Sequence, residues 1–249
     1  MKAEGGSGNL ECGIRNVEIG GRKVGMLRSA FTLLLLFFLC PVSLAAVDMQ
    51  LSEILAGVQK RYRDLPGLSI PYKREIITRS MALLGGSMDA EMASGQIHFR
   101  PPKFLRVQQD TPKQEAIISD GNTLWWYVPH KSQVFRYPSH QLGKEIQLLN
   151  DIFQGLRGVE ESFDVMLMEG DEEGGYQLKL IPNPPWVEIL HIMLFVSQEN
   201  YTVRKVEIHN QVGGITRFTL GDLSVKEQFP ENFFRFVPPE GVKVIEQEG

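Results

Sequence analysis

The sequence predicts a mainly β protein, an antiparallel sheet of about eleven strands with one helix ahead of it and a helical insert midway. Three observations carry that prediction. Short runs of period two, broken by turn residues, recur between residues 70 and 225. Two stretches, 49–62 and 139–157, instead repeat their apolar residues at three and four. Strands and helices do not alternate as they would in a parallel α/β sheet, so the strands pair antiparallel.

The chain opens with a leader. Arg28 precedes Ala30-Phe31-Thr32, then the run LLLLFFL from Leu33 to Leu39, then Ser43-Leu44-Ala45-Ala46. A basic residue, a short apolar run and small residues at the cut are the parts of a secretory signal peptide. The run is shorter than the roughly 20 residues that cross a bilayer. Residues 1–46 are therefore expected to be an N-terminal extension and cleaved signal peptide, with Met26 as the expected true start, and 47–249 a single domain. Both cysteines, Cys12 and Cys40, fall before the cut, so the mature chain has neither disulfide nor thiol. Leu39 stands where a lipidation signal needs a small residue, which argues against a lipid anchor on Cys40. The mature 203 residues carry 21 basic and 27 acidic side chains, a net charge of −6.

In the first helix, 49–62, Leu51, Ile54, Leu55 and Val58 share a face, and Pro66-Gly67 ends it. Strands are expected near 70–80, 92–100, 103–109, 114–119, 123–128 and 132–137. Asp120-Gly121 is the strongest hairpin signal, read as the two positive-φ positions of a type I′ turn. In the insert, Leu142, Ile146, Leu149, Ile152, Phe153 and Leu156 recur at three and four, in one helix or two short ones. Strands resume near 162–169, 175–182, 187–196, 202–209 and 215–225. Gly170–Gly175 and Gly213-Gly214 supply hairpin loops between them.

Composition excludes several functions. The 26 Lys+Arg against 30 Asp+Glu give a net charge of −4, the wrong sign for a nucleic-acid binder or for a basic patch on anionic lipid. The five histidines (His98, His130, His140, His191, His209) have no metal-ligand spacing, and no metal or other cofactor is expected. Nucleophile elbow, phosphate loop and dinucleotide fingerprint are all missing, so nothing in the sequence points to an enzyme. The informative features are apolar. Thr123–Val128 reads apolar on both faces of one strand, and Val187–Phe195 nearly so. Both faces then need cover. Two arrangements meet that need: a sandwich or helix-covered sheet with an ordinary core, or a curved sheet lining an apolar cavity under an amphipathic lid.

The stretch from Gly95 to Tyr137 resembles the LolA family of periplasmic outer-membrane lipoprotein carriers. The resemblance is carried by Arg100-Pro101, Pro112 and Ile118-Ser119-Asp120-Gly121-Asn122-Thr123-Leu124-Trp125-Trp126-Tyr127. The ending Phe234-Arg235-Phe236-Val237-Pro238-Pro239-Glu240-Gly241-Val242 resembles the family's C-terminal strand and tail. The resemblance implies an unclosed antiparallel β-barrel of about eleven strands covering an apolar cavity with helices. It implies a carrier that takes lipoprotein acyl chains from an inner-membrane lipoprotein-releasing ABC transporter and delivers them to an outer-membrane receptor. On that basis Phe99, Leu105, Val107, Ile118, Trp125 and Trp126 are candidate cavity residues, and Leu142, Ile146, Leu149, Ile152 and Phe153 candidate lid residues. The orientation of the two tryptophans stays open.

One departure bears on the lid. The family latches its closed lid with an Arg and places a Phe four residues later in the cavity. The Arg-Pro pair aligns these with Arg100 and Phe104, whereas counting back from Ser119-Asp120-Gly121 gives Pro101 and Leu105. Alternation favours the second register, with Ile97, Phe99, Leu105 and Val107 on one face and His98, Arg100, Arg106 and Gln108 on the other. Arg100 is thus a possible latch or a solvated strand residue. The alternatives to lipoprotein carriage are a LolA-like binder of another lipid or glycolipid, and a lipoprotein-sensing regulatory module. An outer-membrane receptor of the same fold would itself be lipidated, which the poor site at Cys40 disfavours. The expected mature protein is a periplasmic monomer.

Overall fold

Among the described residues, thirteen strands form one mixed sheet, and helices Val42–Tyr62 and Lys144–Phe153 lie against one face of it. The computed structural model describes residues 42–79, 91–138, 144–170 and 174–247, with backbone alone for 42–47 and 144–145. Helix α1 spans Val42–Tyr62, and its basic last turn, Lys60 and Arg61, suits the negative end of the helix dipole. The strands are β1 (Leu68–Ile77), β2 (Glu91–Arg100), β3 (Phe104–Thr111), β4 (Glu115–Ser119), β5 (Thr123–Val128) and β6 (Gln133–Pro138). After helix α2 (Lys144–Phe153) come β7 (Phe163–Met168), β8 (Tyr176–Pro182), β9 (Ile189–Val196), β10 (Val203–Asn210), β11 (Ile215–Leu220), β12 (Ser224–Val225) and β13 (Lys243–Glu246). Leu44–Gly249 form one compact unit.

The order across the sheet is β13-β6-β5-β4-β3-β2-β1-β11-β10-β9-β8-β7, with β12 pairing β1. β1 through β6 and β7 through β11 are two meanders. They join where Tyr72 to Ile77 of β1 pair with Leu220 to Ile215 of β11. β7 and β13 are the two free edges, so the sheet is an open barrel. Ten of the eleven expected strands are present within a few residues of their expected limits. The eleventh, 215–225, is divided into β11 and β12 around Gly221–Leu223.

Three expectations are corrected. The sheet is not wholly antiparallel, because β13 runs parallel to β6, Val244 facing Val134 and Ile245 facing Phe135. Phe234–Val237 is not the C-terminal strand; it crosses the outer face, as described below, and β13 lies beyond it. The β4–β5 hairpin forms where Asp120-Gly121 places it, but by another turn. Gly121-Asn122 are its central residues, only Gly121 has positive φ (+90°), and Asp120 Oδ1 accepts the Asn122 and Thr123 N–H groups at 2.9 Å each.

Pairing registers assign each strand residue to a face. The inner face, toward the helices, carries Leu68, Ile70 and Tyr72 of β1, Ile97 and Phe99 of β2, and Leu105 and Val107 of β3. Across β1 it continues through Phe218 and Leu220, Val206 and Ile208, Ile192 and Leu194, and Leu178 and Leu180. With Ile54, Val58 and Tyr62 of α1 and Leu148, Leu149, Ile152 and Phe153 of α2 they make one buried apolar cluster. Gly95 in β2 passes so close to β3 that an added Cβ would overlap the Gln108 carbonyl oxygen.

The outer face is divided. Over β2–β6 it is covered by the segment after β12. Phe234 packs on Phe104 (5.8 Å between centroids), Phe233 meets His98 edge-on (5.0 Å), and Phe236 lies against Trp125 and Tyr127 (5.7 and 5.3 Å). Over β1 and β9–β11 it carries a cross-strand ladder of charge. Arg217 donates to Glu207 (Nε to Oε1, 2.8 Å) and to Glu75 (Nη1 to Oε2, 2.9 Å), and His191 and His209 stack with centroids 4.3 Å apart. The Glu207 carboxyl is pulled down to about 2 by His209 and by Arg217, against the opposing effect of burial. His209 Nε2 stands 3.4 Å from Oε2 without an aligned hydrogen bond, so the shorter Arg217 bond is the firmer hold.

Candidate functional site: the helix-covered inner face

The two helices are held to the inner face differently. Tyr62, on the last turn of α1, is buried, and its hydroxyl oxygen accepts the Val203 N–H at 3.1 Å, where β10 bulges against β9. Burial pushes the Tyr62 phenol up to about 12, so it stays neutral. α2 has no such tie. Among the described residues, no side-chain hydrogen bond or ion pair links α2 to the sheet; its attachment is the packing of Ile146, Leu148, Leu149, Ile152 and Phe153. Phe153 lies 5.7 Å from Phe99 and 6.5 Å from Tyr62 between ring centroids.

The end of α2 is sharply defined. Leu156 N–H reaches the Asp151 carbonyl (2.8 Å) and Gly155 N–H the Ile152 carbonyl (2.9 Å), a Schellman motif with Gly155 at φ +78°. Gly155 lies against α1, where a Cβ would stand 2.8 Å from Gln59 Cα. Beside it a cleft of about 500 Å³ opens between the ends of both helices and the β2–β3 turn, lined by Gln59, Tyr62, Arg63, Pro101, Phe153 and Arg157 among others. Asp151, on α2, has its carboxyl raised to about 6 by burial.

Phe99, Leu105 and Val107 share the inner face and are buried. Trp126 is on the same face through Ile117 and Val107, half-buried, its Nε1 donating to Glu115 Oε2 at 3.0 Å. Ile118 and Trp125 are not there. Leu105 pairs with Ser119, so Ile118, one residue away, points outward, and its partner Trp125 follows it under Phe236. Ile146, Leu149, Ile152 and Phe153 all contact the inner-face cluster; Leu142 lies outside the described residues. Arg100 faces outward with its guanidinium 4.1 Å from the Phe104 ring centre and 5.2 Å from that of Phe234, engaged by the C-terminal segment rather than by α2. Pro101 and Pro102 form the β2–β3 turn and not a bulge; the register shift in this pair is at Ser94/Gly95. Tyr62, Leu148 and the whole β8–β11 wall were missed as site residues; Leu178 and Leu180 alternate with half-buried neighbours as inner-face residues should, whereas Ile192 and Leu194 lie in a strand whose Phe195 is also buried.

The chemistry on offer is burial. The inner face presents aliphatic and aromatic surface, and its lid is attached by the same kind of contact. Among the described residues no group of three His, Cys, Asp or Glu side chains could hold a metal ion, and no helix is long and apolar enough to cross a membrane.

Among the described residues, an open barrel with an apolar inner face covered by helices α1 and α2 defines the class of fold, an unclosed barrel with a helical lid. A profile described as outer membrane lipoprotein carrier protein LolA matches residues 83–237, and the chain belongs to that family. It is 25% identical over 167 residues to the outer-membrane lipoprotein carrier protein of Nitrosospira multiformis, covering 63% of this chain and 74% of that one. It is 25% identical over 168 residues to the carrier of Pseudomonas paraeruginosa, covering 67% and 78%. A solved LolA superfamily protein from Nitrosomonas europaea aligns over 74% of this chain and 97% of its own, at 15% identity and a TM-score of 0.42.

Proposed function

We propose that the mature protein is a periplasmic carrier, exported by the cleaved leader 1–46, that holds lipoprotein acyl chains against the inner face. It would receive them from an inner-membrane ABC transporter and release them to an outer-membrane receptor. The observation that supports this most is the attachment of α2. A helix that, among the described residues, is held to the sheet by apolar side chains can be displaced by an acyl chain that replaces those contacts one for one. Each CH₂ removed from water contributes about 0.8 kcal/mol. The gain on binding is therefore offset by the contacts α2 gives up, and net affinity stays low enough for transfer. Tyr62 anchors α1, so α2 is the element that moves. Phe99, Leu105, Val107 and Trp126 line the sheet side of the site, and Ile146, Leu149, Ile152 and Phe153 the lid side.

The test is acceptance of lipoprotein. Mature protein (Val47 onward) mixed with inner-membrane vesicles carrying the transporter is expected to come away with a lipoprotein visible by native mass spectrometry. Leu105→Glu or Ile152→Glu is expected to abolish that complex while leaving the sheet folded. Acceptance unchanged in both variants would overturn the inner-face assignment. A second reading, a carrier of another lipid, is favoured by Arg100, which is engaged outside rather than at the lid. Deletion of the gene with no mislocalised lipoprotein would select it.

A further inference from the structure

At the end of the sheet where α1 stops, a cleft of about 780 Å³ is bounded by Arg61 of α1, the β9–β10 turn (Ser197, Glu199, Asn200, Thr202) and the strand ends of β10 and β11 (Val203, Lys205, Thr219, Leu220). Its charge is layered. Arg61 and Lys205 are half-buried, whereas the two carboxylates at the lip, Glu199 and Asp222, are exposed to water. Exposed carboxylates are screened, so the charge of the deeper wall is set by Arg61 at the helix end and by Lys205, which reaches the rim from the outer face beside Phe195 and Thr219. Arg61 Nε is buried with no hydrogen-bond partner, and neither Arg61 nor Lys205 has an ion pair among the described residues. The Lys205 ammonium is positioned 3.7 Å from the centre of the Phe195 ring. The turn is stiffened from within, Asn200 Oδ1 accepting both the N–H and the hydroxyl of Thr202 (3.1 and 2.6 Å). The floor is continuous with the apolar interior, for Val203 and Leu220 belong to both the cleft and the inner-face cluster.

A polar, cationic cleft opening on an apolar interior matches a molecule with an anionic head and aliphatic tails. We propose that this cleft is a headgroup site for a phosphate-bearing diacyl lipid, with Arg61 and Lys205 on the phosphate and the tails beneath α1 and α2. The inference rests on the reading of the inner face as an acyl-chain site. It adds a second class of ligand, the diacyl phospholipid.

The experiment incubates the mature protein with phosphatidylglycerol vesicles, with dioleoylglycerol, which has tails and no phosphate, and separately with inorganic phosphate. Retained lipid is measured by native mass spectrometry after gel filtration, and phosphate binding by calorimetry. Wild-type protein is expected to retain phosphatidylglycerol, and Arg61→Gln and Lys205→Gln each to weaken that retention about tenfold, the worth of one charge-assisted hydrogen bond. Dioleoylglycerol retention should be unchanged in both variants, which also reports that they fold, and Lys113→Gln with Lys131→Gln serves as the charge-matched control. Equal retention of phosphatidylglycerol by wild type and variants overturns the headgroup site. Binding of inorganic phosphate without phosphatidylglycerol makes it a site for a free anion and overturns the lipid assignment. Retention of dioleoylglycerol but not phosphatidylglycerol overturns this inference and leaves the acyl-chain reading standing; retention of neither overturns both.

Discussion

Gly155 and Gly95 forbid a side chain for different reasons. At Gly155 the backbone is left-handed and the Cα faces α1; Gly155→Ala combines strain with a backbone clash and is expected to cost about 1–3 kcal/mol in urea unfolding. At Gly95 the obstacle is the neighbouring strand itself, so Gly95→Ala should cost more and disturb the β2–β3 register. A Gly155→Ala protein of unchanged stability would mean that α2 does not seat on α1 as described. Titration gives a second prediction at this scale. His191 is lowered to about 4, chiefly by burial and then by His209 and Lys179. Its folded pKa lies below the ordinary 6.5, so between those values the unfolded chain binds more protons than the folded one. His191 therefore contributes a loss of stability as pH drops from about 6.5 to about 4, opposed between about 6 and 4 by Asp151, whose raised carboxyl favours the folded state as pH falls; His191→Gln should tilt denaturant midpoints toward greater relative stability at the acid end of that range.

Among the elements, α2 stands apart because, among the described residues, no side-chain hydrogen bond or ion pair ties it to the sheet. Its amides, Leu148 to Phe153, are expected to exchange at least about tenfold faster than those of Val206 and Ile208, through local opening that leaves the sheet intact. Equal protection in both places would sink the picture of a detachable helix. This element was legible in the sequence, since Ile146, Leu149, Ile152 and Phe153 fall at helical spacing and all turn to the core. The strands were equally legible, because period two and turn residues are local signals. Which face each residue takes was legible only where one face is polar. Ile97, Phe99, Leu105 and Val107 alternate with His98, Arg100 and Arg106, and the register followed. Thr123–Val128 offers no such contrast, being apolar on both faces, so Trp125 and Ile118 could not be told from Trp126 and Ile117.

The reason for that apolar outer surface appears only in the whole molecule. The cover over Trp125 and Tyr127 is Phe236, and that over Phe104 is Phe234, more than a hundred residues further along. Long-range partners of this kind leave no periodic trace in sequence. The parallel strand β13 was invisible for the same reason, its partner β6 being separated from it by the entire second meander. Phe234 is only 3% exposed, so Phe234→Ala is expected to cost about 3–5 kcal/mol in thermal or urea unfolding. Truncation after Pro230 should shift Trp125 emission to the red and make the protein bind an apolar dye. A truncated protein with unchanged emission and stability would show that the segment is dispensable.

The distant origin of that cover also sets a timetable. β1 cannot pair with β11, nor Tyr62 find the Val203 N–H, until some 140 residues after them have been made. Phe234 and Phe236 arrive later still. A chain delivered N-terminus first thus leaves the β1 edge without its β11 partner until residue 220 emerges, and the outer apolar surface of β3 and β5 uncovered until the last tenth of its length. Completion is a single late event, with β11 joining the two meanders and the aromatic segment closing behind it. During that interval the chain exposes the apolar surface that its finished form covers.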